Sequence, residues 1–437
     1  MENKTGRVIQ IVRRSFEDLP DPRSGSNTRY KSADVLMGAF AIFHSQSPSF
    51  LQGQKRMREQ LANDNAKTLY RMEGIPTDTH IRNVLDEIDS HELEKTYAAL
   101  LAEARKQGVL ERNRSYSNNL RIAVDGTQYY RSETIHCRKC SEKRNENGTT
   151  SFFHTIIAPM IMLEENRVLP LAPEFIEKQD GSEKQDCERN GFKRLLERHG
   201  QEYAAMGVTI LGDDLYCNDP SCKAIKEAGL NFILTCKPSS HTDLSKSLSC
   251  YENMGMIKTV SQESFNGKHW IIEECRYINE VPIRAGDDAL KVNWIEYTVI
   301  QKNNNKRTYH NTFATDFPVS LENAIPIARD GRSRWGVENG GFNILKNKGF
   351  NFEHNYGHGK NNLASMLASM ILLAFFVHTL CEICDENYAE LRKTQGTRRA
   401  FSELMCICLD KFFFEDWDAF YKLMLRKERI PASLFIS

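Results

Sequence analysis

The sequence predicts a mixed α/β protein, and three features lead there. Apolar residues recur at helical spacing in "SADVLMGAFAIFHSQ" and "HELEKTYAALLAEARKQG" within the first 115 or so residues, and helical patterning returns after about residue 316. Short apolar runs that end in acids or turn formers, "LRIAVDGT" and "GVTILGDDLY", read as buried strands meeting turns. Between about 255 and 316, "GKHWIIEECRYI", "KVNWIEYTVIQK" and "RTYHNTFATDF" are β-rich and separated by polar turns such as "KNNNK".

The remaining elements follow in chain order. Prolines and a glycine make "FEDLPDPRSGSNTRY" a loop. "SFFHTIIAPMIMLEENRVLPLAP" reads as two strands joined by a turn at 164–166, "KQDCERNGFKRLLERHGQEYAA" as a helix, and "NFILTCKP" as a further strand. There is no internal repeat and no low-complexity segment.

Composition narrows the class. A chain of 437 residues with 40% hydrophobic and 27% charged residues reads as globular, with room for two or three domains. Lys+Arg and Asp+Glu are equal at 58 each, so any nucleic-acid surface must be a local patch. The start has no apolar core of signal-peptide length, so no secretion is expected, and the twelve cysteines are expected to be thiols or metal ligands. "LASMLASMILLAFFVHTLCEIC" is long enough to cross a membrane, but Ser365, Ser369 and His378 interrupt it. A buried core helix is the better reading, and no membrane partner is expected.

Chemistry centres on acids. Asp125 follows one apolar strand and Asp213-Asp214 another, and groups at strand ends of an α/β sheet face the crevice where ligands bind. Glu338 shares a helical stripe with Trp335, Phe342 and Leu345, which turns it toward the interior or a cleft, with Arg334 four residues earlier as a possible partner. Three clustered carboxylates repel one another unless divalent cations sit between them. Such a cluster, with Mg²⁺ or Mn²⁺, predicts phosphodiester cleavage or joining. Ordinary turn aspartates and a surface ion pair are the plain alternative.

The order "AVDGT", "GDDLY", a β-rich insertion and then "RSRWGVENGGFNILK" resembles a DDE transposase of bacterial insertion sequences, over roughly residues 115–375. "LPDPR" and the helices after it are also similar to the amino-terminal regions of such proteins. The resemblance implies an RNase H-like mixed sheet flanked by helices, with a β insertion between the second Asp and the Glu. It implies a helical region at 1–115 for binding DNA ends, a core at 116–254 and 321–380, the insertion at 255–320, and a helical region at 381–437. Asp125, Asp213 and Glu338 would be the catalytic, metal-binding acids, with Asp213 three residues before Tyr216 and Asp214 the runner-up. Arg332, Arg334, Lys346 and Lys348 would hold DNA phosphates, and Trp335 is open to base stacking or core packing. Two departures stand out: Gly331 occupies the place of the family's Tyr, and Lys346 lies eight residues after Glu338 instead of seven. The implied reaction is water-driven cutting at element ends, then attack by the freed 3′ hydroxyl, by a homodimer on DNA in the bacterial cytoplasm. A metal-dependent nuclease on the same core, or a zinc-stabilised DNA-binding protein without catalysis, is the alternative.

A second signal is "HCRKC". Cys137-x-x-Cys140 is a zinc half-site, and His154 and Cys187 are candidates to complete a structural Zn²⁺ set. Asp186 and Glu188 either line the cleft or form a solvated face, and "FNFEHNYGHGKNN" is either a DNA-contacting loop or a polar connector.

Overall fold

The structure, a computed structural model, describes residues 3–23, 29–177 and 186–425. Part of the loop expected at 16–30, residues 24–28, and the first two residues of the helix expected from 184 lie outside these. Helices α1 (Lys4–Glu17), α2 (Ser32–His44) and α3 (Asp78–Glu87) open the chain, with further helices around them. Strands β1 (Leu120–Ala123), β2 (Gly126–Ser132), β3 (Ser141–Arg144), β4 (Thr150–Ile157), β5 (Met160–Met162), β6 (Val168–Pro170) and β7 (Glu174–Ile176) precede α4 (Glu188–Met206). Strands β8 (Val208–Gly212) and β9 (Asn231–Thr235) are followed by β10 (Lys258–Phe265), β11 (Trp270–Pro282), β12 (Lys291–Gln301) and β13 (Lys306–Thr315). Then come α5 (Ala324–Ser333), a π-helical turn (Val337–Phe342) and α6 (Leu363–Cys384).

The chain divides into two compact units, neither continuous in sequence. One comprises Met1–Val109, Tyr129–Phe153 and Asn343–Ser437, the other Leu110–Gln128 and His154–Phe342.

The first unit is built around α6. This helix is long and apolar enough to cross a membrane, but its apolar window is entirely buried within the protein, packed by α1, α2 and α3. Its polar interruption is satisfied internally: His378 Nε2 lies 2.7 Å from the His44 carbonyl oxygen, and the two imidazoles stack at 4.4 Å. Burial holds His378 neutral, its pKa pushed down to about 3. The amino end of α6 is fixed by Asp86, whose carboxylate accepts from the backbone N–H groups of Lys360, Asn361, Asn362 and Leu363 at 2.9–3.0 Å. Cys381 and Cys384, a second C-x-x-C, are plain buried thiols of this helix.

The second unit is a nine-stranded mixed sheet in the order β10-β11-β12-β13-β9-β8-β1-β5-β6. Its middle, β1-β8-β9, is parallel. There the strands are continuous apolar runs, and every residue of Val208–Gly212 is buried, as a sheet covered on both faces requires. Each large aliphatic side chain so buried contributes about 1.5–3 kcal/mol. The expected turn at 164–166 joins β5 to β6, with Glu165 and Asn166 both left-handed at φ 58° and 57°. The β-rich run is not a separate body, because β13 pairs antiparallel with β9 and extends the same sheet. Its outer strand β10 is mostly exposed and polar and carries Lys258 and Glu263, which discourages pairing with other chains.

Candidate active site

The parallel pairing of β1 with β8 sets Ala123 opposite Leu211. Two residues further on, Asp125 and Asp213 therefore leave adjacent strands at matching heights, and adjacent strands lie about 4.8 Å apart. The backbone between them stays tied, Val124 N–H donating to the Leu211 carbonyl at 2.8 Å. Asp213 turns the chain by accepting from Leu215 N–H at 2.8 Å. Asp214 is engaged elsewhere, accepting from Lys237 N–H at 2.6 Å and lying 3.3 Å from His241 Nε2. It is Asp213, not Asp214, whose charge acts on Asp125.

Glu338 comes from the π-helical turn after α5. Arg334 joins it to the first acid: its guanidinium is 2.7 Å from Glu338 Oε1 and 3.6 Å from Asp125 Oδ2. The turn can sit low because Gly340 and Gly341 follow. A Cβ at Gly341 would lie 2.6 Å from Met160 Sδ of β5, and one at Gly340 would strike the Asn166 carbonyl. The expected core stripe needs correction here. Phe342 and Leu345 are buried, but Trp335 is 60% exposed and the Glu338 side chain 46% exposed. A π turn takes more residues per revolution than an α-helix, so the 3.6-residue phase breaks at Val337. Arg332 is exposed, its guanidinium 4.4 Å from the centre of the Tyr309 ring.

Gly331, which stands where the resemblance expects Tyr, is buried. A Cβ there would be 2.9 Å from both Ile233 Cγ2 and Phe313 Cε1, so α5 lies too close to the sheet for any side chain at this position. Of the tryptophans in the β-rich run, Trp294 is buried at 6% exposure and Trp270 is exposed at 57%.

A further acid, Glu188, acts on Asp125 beside Asp213 and Glu338. Glu188 opens α4, and its Oε1 accepts from Tyr216 Oη at 2.6 Å. Gly126 gives way to it, since a Cβ there would run into the Glu188 carboxylate. In "DGT" the glycine thus serves close approach, not the turn that the dipeptide suggests. Burial is the main cause that raises the Glu188 pKa, and the Asp213 charge adds to it, while Tyr216 and the Gly126 N–H hold it down. Burial also pushes Asp125 up, to about 7; Arg334 pulls it back, and Asp213, Glu188 and Glu338 push it further. Asp186, by contrast, is neither cleft-lining nor solvated: it is 4% exposed and paired with Arg194 at 2.8 Å.

A cleft of about 600 Å³ opens beside Asp213 and is lined by Arg189, Lys237, His241 and Arg284 as well as acids. Carboxylate oxygens suit a hard divalent cation, and the Arg334 guanidinium stands beside Asp125 and Glu338 as a counter-charge. Lys346 and Lys348 fall in the first unit, where Lys346 is paired with Glu353 at 2.6 Å.

The thiols form their own group. Cys137 Sγ and Cys140 Sγ are 3.9 Å apart, and His358 Nε2 is 3.4 Å from Cys140 Sγ. His154 continues β4 directly from Phe153, and its ring nitrogen completes a set whose four ligand atoms all lie within 4.8 Å of one another, able to hold a metal ion such as zinc. Cys187 is not part of it: it is exposed at the start of α4, and His358 takes the expected fourth place. The sequence signal was there, since His358 lies in the glycine-containing loop, but 218 residues separate it from Cys140 and no spacing links them.

Residues 13–101 match the family described as DDE_Tnp_1-associated, a domain found in DDE-type transposase families. At that coarse level the match suggests a transposase-related function. No curated protein matches it.

Proposed function

We propose that the chain is a DNA transposase whose catalytic acids are Asp125, Asp213 and Glu338, on an RNase H-like core. The observation that carries this is the register-matched pair Asp125 and Asp213, joined to Glu338 through Arg334. The strand order β6-β5-β1-β8-β9, with an antiparallel hairpin on one side of β1 and parallel strands on the other, supports the RNase H-like reading. The amino-terminal family match supports the transposase class.

Paired divalent cations, when bound, activate the attacking oxygen and stabilise the leaving one in phosphoryl transfer. The chain's own residues do the rest. Asp125, Asp213 and Glu338 supply the oxygen ligands. Glu188, held by Tyr216, adds negative charge behind Asp125 and Asp213. Arg334 neutralises the site before DNA enters and is free to turn to a phosphate afterwards. Arg332 and the exposed Trp335 offer a cationic and a stacking surface next to it. Lys346 and Lys348 belong to the other unit, and phosphate contacts for them rest on the sequence resemblance alone. Synapsis of two DNA ends calls for a homodimer on DNA.

The test uses the purified full chain, Mg²⁺ or Mn²⁺, and DNA carrying the ends of its own insertion element. Cleavage is expected to need the metal, and to fall by at least about 10³-fold in Asp125→Ala, Asp213→Ala and Glu338→Ala while DNA binding persists. Wild-type activity in any of the three would overturn the assignment. Joining of the cut end to a second duplex separates a transposase from a nuclease on the same core.

A further inference from the structure

We propose that Cys137, Cys140, His154 and His358 bind one structural Zn²⁺, which fastens the segment leading into α6 to the Cys-x-x-Cys turn. The distances fit the ion. Tetrahedral zinc with Zn–S of about 2.3 Å and Zn–N of about 2.0–2.1 Å puts two sulfurs about 3.8 Å apart and a sulfur and nitrogen about 3.6 Å apart. The corresponding distances here are 3.9 Å for Cys137–Cys140 and 3.4 Å for Cys140–His358. Two sulfurs at 3.9 Å are not bonded to each other, so the pair is a dithiol.

The surroundings orient the ligands. Cys140 N–H donates to the Cys137 carbonyl at 3.2 Å, and Cys137 N–H approaches Cys140 Sγ at 3.5 Å, which closes the turn and points both sulfurs inward. The His358 Nδ1 lies 3.1 Å from the Gly359 carbonyl, which fixes the tautomer and leaves Nε2 as the ligand atom. Gly359 is left-handed at φ 68°, so a side chain there would be strained. The Tyr130 ring covers the imidazole at 4.4 Å.

Burial decides the kind of site. Cys140, His154 and His358 are 1%, 3% and 7% exposed, and four protein ligands leave no open position for substrate or water. The ligand set is soft, so it selects zinc over the hard cations suited to the acids. The consequence is mechanical. The segment before α6 is held at its far end by Asp86 and along its length by buried Phe350, Phe352 and Tyr356, and the metal would clamp it at His358.

The chain, purified without chelator, is assayed for bound metal, and its thiols are titrated before and after chelation. About one zinc per chain is expected, with Cys137 and Cys140 protected until the metal is removed. Cobalt in place of zinc is expected to give the strong visible bands of a tetrahedral site with two thiolates. Metal content is expected to fall at least about 10-fold in His358→Ala and Cys140→Ser, because losing one of four ligands costs that much affinity or more. It is expected to stay unchanged in Cys187→Ser. The double variant Cys217→Ser/Cys236→Ser removes the other thiol–imidazole group, Cys217, Cys236 and His241, and is also expected to keep its zinc. Absence of zinc together with absence of a cobalt spectrum in the parent chain would overturn the proposal, as would loss of metal on Cys187→Ser or on the double variant. None of these readouts involves DNA, so they stand or fall apart from the transposase reading. Should the ligand variants fail to fold, the cobalt spectra of the parent and of Cys187→Ser decide the matter.

Discussion

Asp125 is a carboxyl largely removed from water and surrounded by three other acids, and its pKa is pushed up to about 7. An unfolded aspartate titrates near 3.9, so the folded, metal-free chain takes up a proton between about 4 and 7 and loses stability as pH rises through that window. Asp125→Asn removes that cost. The metal-free variant is expected to melt above the parent at pH 8 and close to it at pH 4, and to lose any stabilisation that Mg²⁺ confers on the parent. Equal melting temperatures at pH 8 would show that burial and the neighbouring acids impose no such cost on Asp125. At this scale the sequence was informative about residue type and poor about surroundings. Asp125, Asp213 and Glu338 could be singled out in the sequence because each falls at a strand end or beside a basic partner. Glu188 was half legible: the sequence left it between a cleft-lining acid and a solvated face, and its contacts with Tyr216 and Gly126 decide for the former.

Secondary-structure elements were mostly legible, and where they were not, a local contact is responsible. Continuous apolar runs gave β1, β8 and β9, while "SFFHTII" and "MIM" proved to be two strands because Pro159 and its neighbours interrupt the ladder between them. The Glu338 segment was taken as one α-helix; the π turn, permitted by Gly340 and Gly341 against β5 and β6, turned Trp335 outward. The start of α6 carries no cap in its own sequence, because the cap is Asp86 of α3. Four backbone N–H groups depend on that carboxylate, so Asp86→Ala is expected to lower unfolding stability by about 2 kcal/mol, at the upper end for a lost helix cap. Chemical denaturation of the full chain measures this, and a change below about 0.5 kcal/mol would mean that water replaces the cap.

For the whole molecule, equal numbers of basic and acidic residues leave no global field to draw in DNA. On the proposed function, affinity for DNA comes from a few local phosphate contacts, and each one met releases counterions and steepens the dependence on salt. Arg332→Ala is expected to weaken binding of all DNA sequences and to flatten the slope of log K against log salt by about 1. Fluorescence anisotropy over a series of salt concentrations reads that slope; an unaltered slope would remove Arg332 from the interface. The two compact units, each drawn from separate stretches of chain, were beyond sequence reading, since periodicity reports neighbours along the chain and not which distant stretches share a core.

By itself the sequence determined the α/β class, the apolar strands β1, β8 and β9 and the burial of α6, and it singled out the three acids proposed as catalytic, because each is written in residue type and short-range spacing. Tertiary structure alone decided that β10–β13 extend the main sheet, that Gly331 leaves no room for a side chain, that Glu188 stands with the acids, and that His358, not Cys187, meets the two thiols. The reason is common to all four. Each depends on two surfaces far apart in the chain coming within a few ångströms, and apolar burial, which drives that approach, is non-directional and leaves no local mark in the sequence.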